Sequence, residues 1–352
     1  MLILVGITIT TIKQVELFNK AKETKEIWTD KQNLENNTLG EYEKTLNEYM
    51  PGEGNSEPAK VKLIDKVKVG DYVKYTSDTA STSDILTELN TYSGNTDSTK
   101  NTKDTLKQEN LNWRVLDVEN GKVRLISEIP TTSTVALEGY NGYNNAIYLL
   151  DKICNALYNK KGYTEKIQNL KIEDVVKYII TKPTIEDKTY YPTNKYYPNM
   201  LIEEKNQTIK ADGITQPLNR KDFSEQETPI NQTTANQATE LIVKNTLWNK
   251  AMIETDFTKP IYYNLFINNG ENYPTYWMSS RCINADDTNA YFRIRVMYAG
   301  IVNDCILYHS WNHADNNAWA LHPVITLNSD VEIDTTNTAN DGTNSTNAWI
   351  LK

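Results

Sequence analysis

The sequence has little cysteine, little phenylalanine, only three histidines and no concentration of basic charge. Its three cysteines, Cys154, Cys282 and Cys305, make no C-x-x-C pair, which excludes a zinc ribbon built on paired thiolates. Cys282 and Cys305 fall in neighbouring predicted strands, where they form either a disulfide, suited to an extracellular setting, or two buried thiols. A net charge of −9 and a pI near 5.1 argue against nucleic acid as a partner, because phosphate binding needs clustered Lys and Arg. The acidity is diffuse and reads as solubility. Long hydrophobic runs are missing as well. The most apolar stretch, residues 1–12, is shorter than the roughly 20 residues that cross a bilayer. No basic segment precedes it and no small-residue cleavage site follows it, so it does not read as a signal peptide.

What remains is a chain of 352 residues, long enough for one large or two medium domains, with 22 tyrosines and many Asn and Thr. Tyr and Trp supply contact area while keeping a polar handle, which suits a wet surface. Beyond Ile12 the pattern turns amphipathic, with Val15, Phe18 and Ala21 on one side. Residues 1–50 therefore read as one long helix with an apolar front and a break near Asn36 to Gly40. Residues 51–66 (PGEGNSEPAK and onward) read as a linker. The globular region spans 67–330, with a loop-rich insertion over 183–240, and 331–352 form a polar tail that holds a possible last strand.

Within that region, VKVGDYVKY predicts a strand, and residues 112–128 a hairpin turning at Asn120–Gly121, the favoured pair for a type I′ turn. Ile147, Leu150, Ile153, Cys154 and Leu157 predict a helix over 139–158, and 170–180 a shorter one that stops before Pro183. A short helix is expected near 235–245. TYWMSSRC, AYFRIRVMY and IVNDCILYHS predict three successive strands. Tyr291, Arg293, Arg295 and Met297 share one face of the second, and Ala299–Gly300 turns it. Ala318 to Leu327 reads as a closing core strand that includes Trp319. The expected fold class is α+β: a long N-terminal helix followed by a mixed α/β domain with long loops.

Two resemblances bear on function. ILVGITITTI followed by LFNKAKETKE resembles the N-terminal helix of type IV pilin-like proteins of Gram-positive bacteria. It departs from them in lacking the leader, the peptidase cleavage site and the glutamate that marks many mature pilins. The chain is then either clipped at its start or uses this helix differently. The blocks GDYVKY, WRVLDVENGKVRLIS, GYNGYNNAIYLL, LKIED, YWMSSR and ALHPVITL resemble C-type-lectin-like domains of the formylglycine-generating-enzyme-related branch, common in surface proteins of gut Firmicutes. Together these resemblances imply a surface or pilus-associated protein, held in the membrane by its apolar helix before assembly into a homo-oligomeric filament. The lectin-like part implies a glycan or surface-protein ligand. His322–Pro323 stands where the family pattern has Arg-Pro, so an arginine that satisfies core carbonyls is absent.

All three histidines lie between Tyr308 and Leu327. His309 and His313, with Asp304 or Asp315, have the donor types of a transition-metal site. Their four-residue spacing would share a helix face, but the Asn-rich context predicts a loop, where such spacing means little, so no metal is assigned. The Glu-Pro-Asn and Trp-Asn-Asp groupings of calcium-dependent lectins are absent. No catalytic residue and no cofactor are assigned either. Ser310, His309 and Asp304 lack a nucleophile elbow, and nothing around Cys282 and Cys305 matches the copper site of formylglycine-generating enzymes. The binding reading remains. The last block would expose Asn284, Asp286, Asp287, Tyr291, Arg293, Arg295, Asn303, Tyr308, His309, Trp311, Asn312, His313 and Asn316, a set of aromatic, Arg and adaptable polar groups of the kind recognition surfaces use. The Asn, Tyr, Asp, Ser and His bias of residues 284–317 also resembles retroelement-diversified lectin-like domains.

Overall fold

The computed structural model describes residues 60–184, 189–203, 208–211, 214–215, 226–268 and 274–352, with Lys60–Lys352 as one compact unit. The expected helix over 1–50 lies outside the described residues.

One sheet combines β1 (Tyr72–Lys74), β2 (Trp113–Glu119), β3 (Lys122–Ser127), β5 (Thr164–Asn169), β18 (Pro323–Leu327) and β19 (Trp349–Ile350), in the order β19-β1-β2-β3-β18-β5. Only β1 and β19 run parallel in it. The second sheet contains β4 (Thr134–Glu138), β12 (Lys250–Ala251), β13 (Tyr276–Ala285), β14 (Ala290–Tyr298), β15 (Ile301–His309), β16 (His313–Ala314) and β17 (Asn316–Ala320). Its order is β12-β15-β14-β13-β17-β4, with β16 also paired to β15. Small ladders join β7 (Tyr196–Tyr197) to β10 (Asn236–Gln237), β6 (Thr189–Tyr190) and β8 (Thr208–Ala211) to β11 (Glu240–Lys244), and β8 to β9 (Ile214–Thr215). Among the helices, α1 (Ser83–Tyr92), α2 (Gly139–Tyr158) and α3 (Ile172–Lys177) matter most here.

The α+β expectation is overturned: strand outweighs helix, 34% against 20%. Part of the reason is visible in 235–245. A short helix was expected there, yet Glu240–Lys244 alternates half-buried and buried positions and sits in a ladder as ELIVK. Burial that alternates through Leu241, Ile242 and Val243, two of them β-branched, fits a pleated surface better than a helix. The closing stretch is also corrected. Ala318 to Leu327 is not one strand but two, because the chain leaves β17 at Ala320 and enters the other sheet at Pro323. The crossing is fixed by backbone bonds to partners in separate elements: Thr131 N donates to the Leu321 carbonyl (2.9 Å) and Leu170 N to the His322 carbonyl (2.9 Å).

Other expectations hold. The β2–β3 hairpin turns at Asn120 and Gly121 with φ of 51° and 75°, the left-handed pair a type I′ turn requires. Ala299 and Gly300 turn β14 into β15 in the same way, at 47° and 81°. Helix α2 runs Gly139–Tyr158 and buries Ile147, Leu150, Ile153, Cys154 and Leu157 against β5, β13 and β4. Trp113, Tyr143, Trp277 and Phe292 complete the main core. None of the three cysteines is in a disulfide: Cys282 is fully buried, and Cys305 accepts a hydrogen bond from Trp319 Nε1 at 3.4 Å. Burial pushes the Cys305 thiol up to about 11.

His322, at the crossing, is 1% exposed. Its Nε2 lies 2.9 Å from the Ser127 carbonyl, so the neutral ring donates there, and its edge meets Tyr276 at 4.6 Å. One ring nitrogen thus satisfies a core carbonyl where an arginine was expected to do so. Burial pushes the imidazole down to about 4, against the contrary pull of the Ser127 carbonyl. An unfolded chain takes up this proton near pH 6.5, before the folded chain does, so stability is lost as pH falls from about 6.5 towards 4. The expected loss from this one residue is about 3 kcal/mol by pH 4. Denaturant titrations of the parent and of His322→Gln at pH 7 and pH 4.5 check it. The parent is expected to show the steeper decline, and equal declines would contradict the assignment.

Candidate functional site

The candidate site lies where β13 to β16 come to one end of their sheet. Asn284 pairs with Tyr291, Tyr291 with His309 and His309 with His313, so these four residues form a row across four strands. Residues directly opposite one another in a ladder project to the same face. Asp315 follows His313 by two residues, just past β16, and its carboxylate meets both imidazoles, so it falls on the same side.

The segment expected to be a loop, Tyr308 to Asn317, is instead a tight hairpin. Asn312 adopts φ of +71°, a left-handed conformation that asparagine tolerates, and its N–H donates to the His309 carbonyl at 3.0 Å. Ser310 pins the base. Its N–H donates to Ala290 O (2.8 Å), its hydroxyl accepts from Ala290 N (2.7 Å), and its carbonyl accepts from Tyr196 N (2.9 Å). Trp311, next in sequence, is left 55% exposed. The rings of His309 and His313 each lie 5.8 Å from it.

Around the row, the Tyr291 hydroxyl donates to Asp286 (3.0 Å), and the Arg293 guanidinium stands 4.9 Å over the Tyr291 ring. Arg293 also donates to the buried carboxylate of Asp304. Asp286 accepts further bonds from the backbone N–H groups of Asn289 (2.7 Å) and Thr288 (2.8 Å). Partial burial would push its carboxyl up, but those three donors hold it below the usual carboxylate range. The same pairing and burial raise the Tyr291 phenol, with burial the larger cause. Asp287 is exposed beside it.

Not every expected residue belongs to this face. Arg295 is fully buried, donating to the carbonyls of Trp248 and Thr246 (2.9 Å to the latter), because residues 246–249 cover its end of the sheet. Tyr308 is fully buried, edge-on to Tyr140 at 5.4 Å, with its hydroxyl on Asn312 Oδ1 (2.9 Å). Asn303 binds Asn249 at 3.0 Å near that covering segment. Asn316 sits at the opposite edge, tied to Asn95 (2.7 Å), Glu138 (3.0 Å) and Lys100 (3.2 Å). Asn284, Asp286, Asp287, Tyr291, Arg293, His309, Trp311, Asn312 and His313 remain near one another. Asp315, a metal-donor candidate in the sequence but outside the expected recognition set, joins this face through both imidazoles.

The hydrolytic grouping of Ser310, His309 and Asp304 is not assembled. Ser310 is buried in backbone bonds, Asp304 belongs to Arg293, and His309 Nε2 faces Asp315 at 2.9 Å. Among the described residues no helix is long and apolar enough to cross a membrane. Comparison of the chain with family models, curated proteins and solved structures returns no match.

Proposed function

We propose that this chain is a cell-surface or pilus-associated recognition protein that binds a glycan or a surface-protein ligand through the Trp311 hairpin face. The observation that carries the proposal is Trp311 itself: a large aromatic, 55% exposed, on a hairpin whose base is locked by three hydrogen bonds. An indole on a rigid support loses little conformational freedom when a partner covers it, which is why such residues anchor interfaces. Asp286, Asp287, Tyr291, Arg293 and His313 add donors, acceptors and both signs of charge around it. The pilin-like character of residues 3–26 supports a surface location and filament assembly.

The test is binding of the full chain to glycan and surface-protein arrays. Trp311→Ala is expected to weaken the strongest interaction by about 30-fold, the scale of a hot-spot residue. Trp311 is a cleaner probe than Arg293, whose removal also strips the buried Asp304 of its cation. A Trp311→Ala chain that binds as tightly as the parent would remove this face from consideration.

A further inference from the structure

We propose that His309, His313 and Asp315 form a binding site for a divalent transition-metal ion of the zinc class, at the centre of the hairpin face. This inference stands apart from the recognition reading, since an ion can bind there whether or not a larger ligand does.

The geometry comes from the hairpin. His309 and His313 are a directly opposed cross-strand pair, and Asp315 lies two residues further on the same side. One ligand atom from each residue lies within 4.8 Å of the others. His309 Nε2 is 2.9 Å from one Asp315 oxygen and His313 Nδ1 is 3.4 Å from the other. Ligands bound tetrahedrally to zinc at about 2.1 Å stand about 3.4 Å apart, so small side-chain rotations suffice to enclose an ion. The backbone beneath is already fixed by Ser310 and by the left-handed Asn312. The His309 ring is further held edge-on against Tyr291 at 4.9 Å. A simple hydrogen-bonded trio would need neither two histidines nor their convergence on one carboxylate.

The donor set selects the ion. Two imidazole nitrogens and one carboxylate suit zinc, nickel, cobalt or copper, whereas calcium takes six to eight oxygen ligands. Three protein ligands are the number found in zinc sites that keep an open position. Here the His313 side chain is exposed and its ring lies 5.8 Å from that of Trp311, so an ion held there would be reachable from solvent.

The chain simplifies the test. It has three histidines, and the third, His322, is buried at the sheet crossing. Untagged full-length protein is titrated calorimetrically with zinc alone and with nickel alone. The expected result is one saturable ion per chain. His313→Ala and Asp315→Asn should each weaken it at least tenfold, on the scale of about 10–100-fold that even outer-shell changes produce. Tyr298→Ala, changed at an exposed aromatic outside the hairpin, should bind the ion as the parent does, and the array comparison of Trp311→Ala tests the ligand-binding reading separately. Position 313 is exposed, so its variant is expected to fold, which circular dichroism checks. Absence of saturable binding in the parent, or binding unchanged in both ligand variants, overturns the proposal.

Discussion

Arg124→Ala is expected to destabilise the protein by about 3–5 kcal/mol, the cost of leaving buried charge without its partner. Arg124 opposes Asp117 across the β2–β3 hairpin and lies between two carboxylates. Its Nε donates to Asp117 (2.9 Å) and its terminal nitrogen to Asp174 (2.7 Å), and all three side chains are largely buried. Asp117 also accepts from the Tyr178 hydroxyl and pairs with Lys177 at 3.2 Å. Asp174 receives the Lys171 N–H at 3.2 Å, at the start of α3. Removing the guanidinium thus leaves the sheet carboxylate with only the half-exposed Lys177 and the Tyr178 hydroxyl, and strands the carboxylate at the helix terminus without a cation. Lys177 is half-exposed, so Lys177→Ala should cost under about 1 kcal/mol. Urea titrations of both variants measure this. A loss below about 1 kcal/mol for Arg124→Ala would show that solvent reaches the pair.

Trp277→Ala is expected to cost about 3–5 kcal/mol, as large-to-small changes in a closed core do. Trp277 is fully buried in the main core, and its Nε1 donates to the Val135 carbonyl at 2.8 Å, joining β13 to β4 across the position of β17. The substitution removes both the packing and the donor. Trp311→Ala should by contrast change stability by no more than about 0.5 kcal/mol, because exposed side chains away from caps and networks contribute little. Thermal and denaturant unfolding of the two variants should therefore separate them by several kcal/mol. Equal losses would mean that Trp311 packs against the body of the protein.

Local patterns were legible where one rule decided the outcome. Asn120–Gly121 admits a tight hairpin, and the 3.6-residue spacing from Ile147 to Leu157 fixed both the extent and the buried face of α2. The candidate site was legible in part. Trp311 was expected exposed and is, and Tyr291 and Arg293 share the face their alternation implied. Arg295 obeys the same alternation but is buried, because residues 246–249, distant in sequence, fold over it. Tyr308 and the hairpin were missed for a related reason. An Asn-rich stretch reads as a loop unless the chain pairs with itself, and the pairing rests on Ser310 meeting Ala290. Ala318 to Leu327 reads as one strand, although Pro323, which starts β18, lacks the N–H that a mid-strand residue donates and marks the passage between sheets.

The most direct measurement is a side-by-side affinity comparison, on the strongest array ligand, of the full chain, Trp311→Ala and Tyr298→Ala. Tyr298 is also an exposed aromatic, but it lies at the far end of β14, against Trp319. Recognition through the hairpin face predicts that Trp311→Ala loses about 30-fold in affinity while Tyr298→Ala binds as the parent does. Loss in Tyr298→Ala with full binding by Trp311→Ala would contradict it.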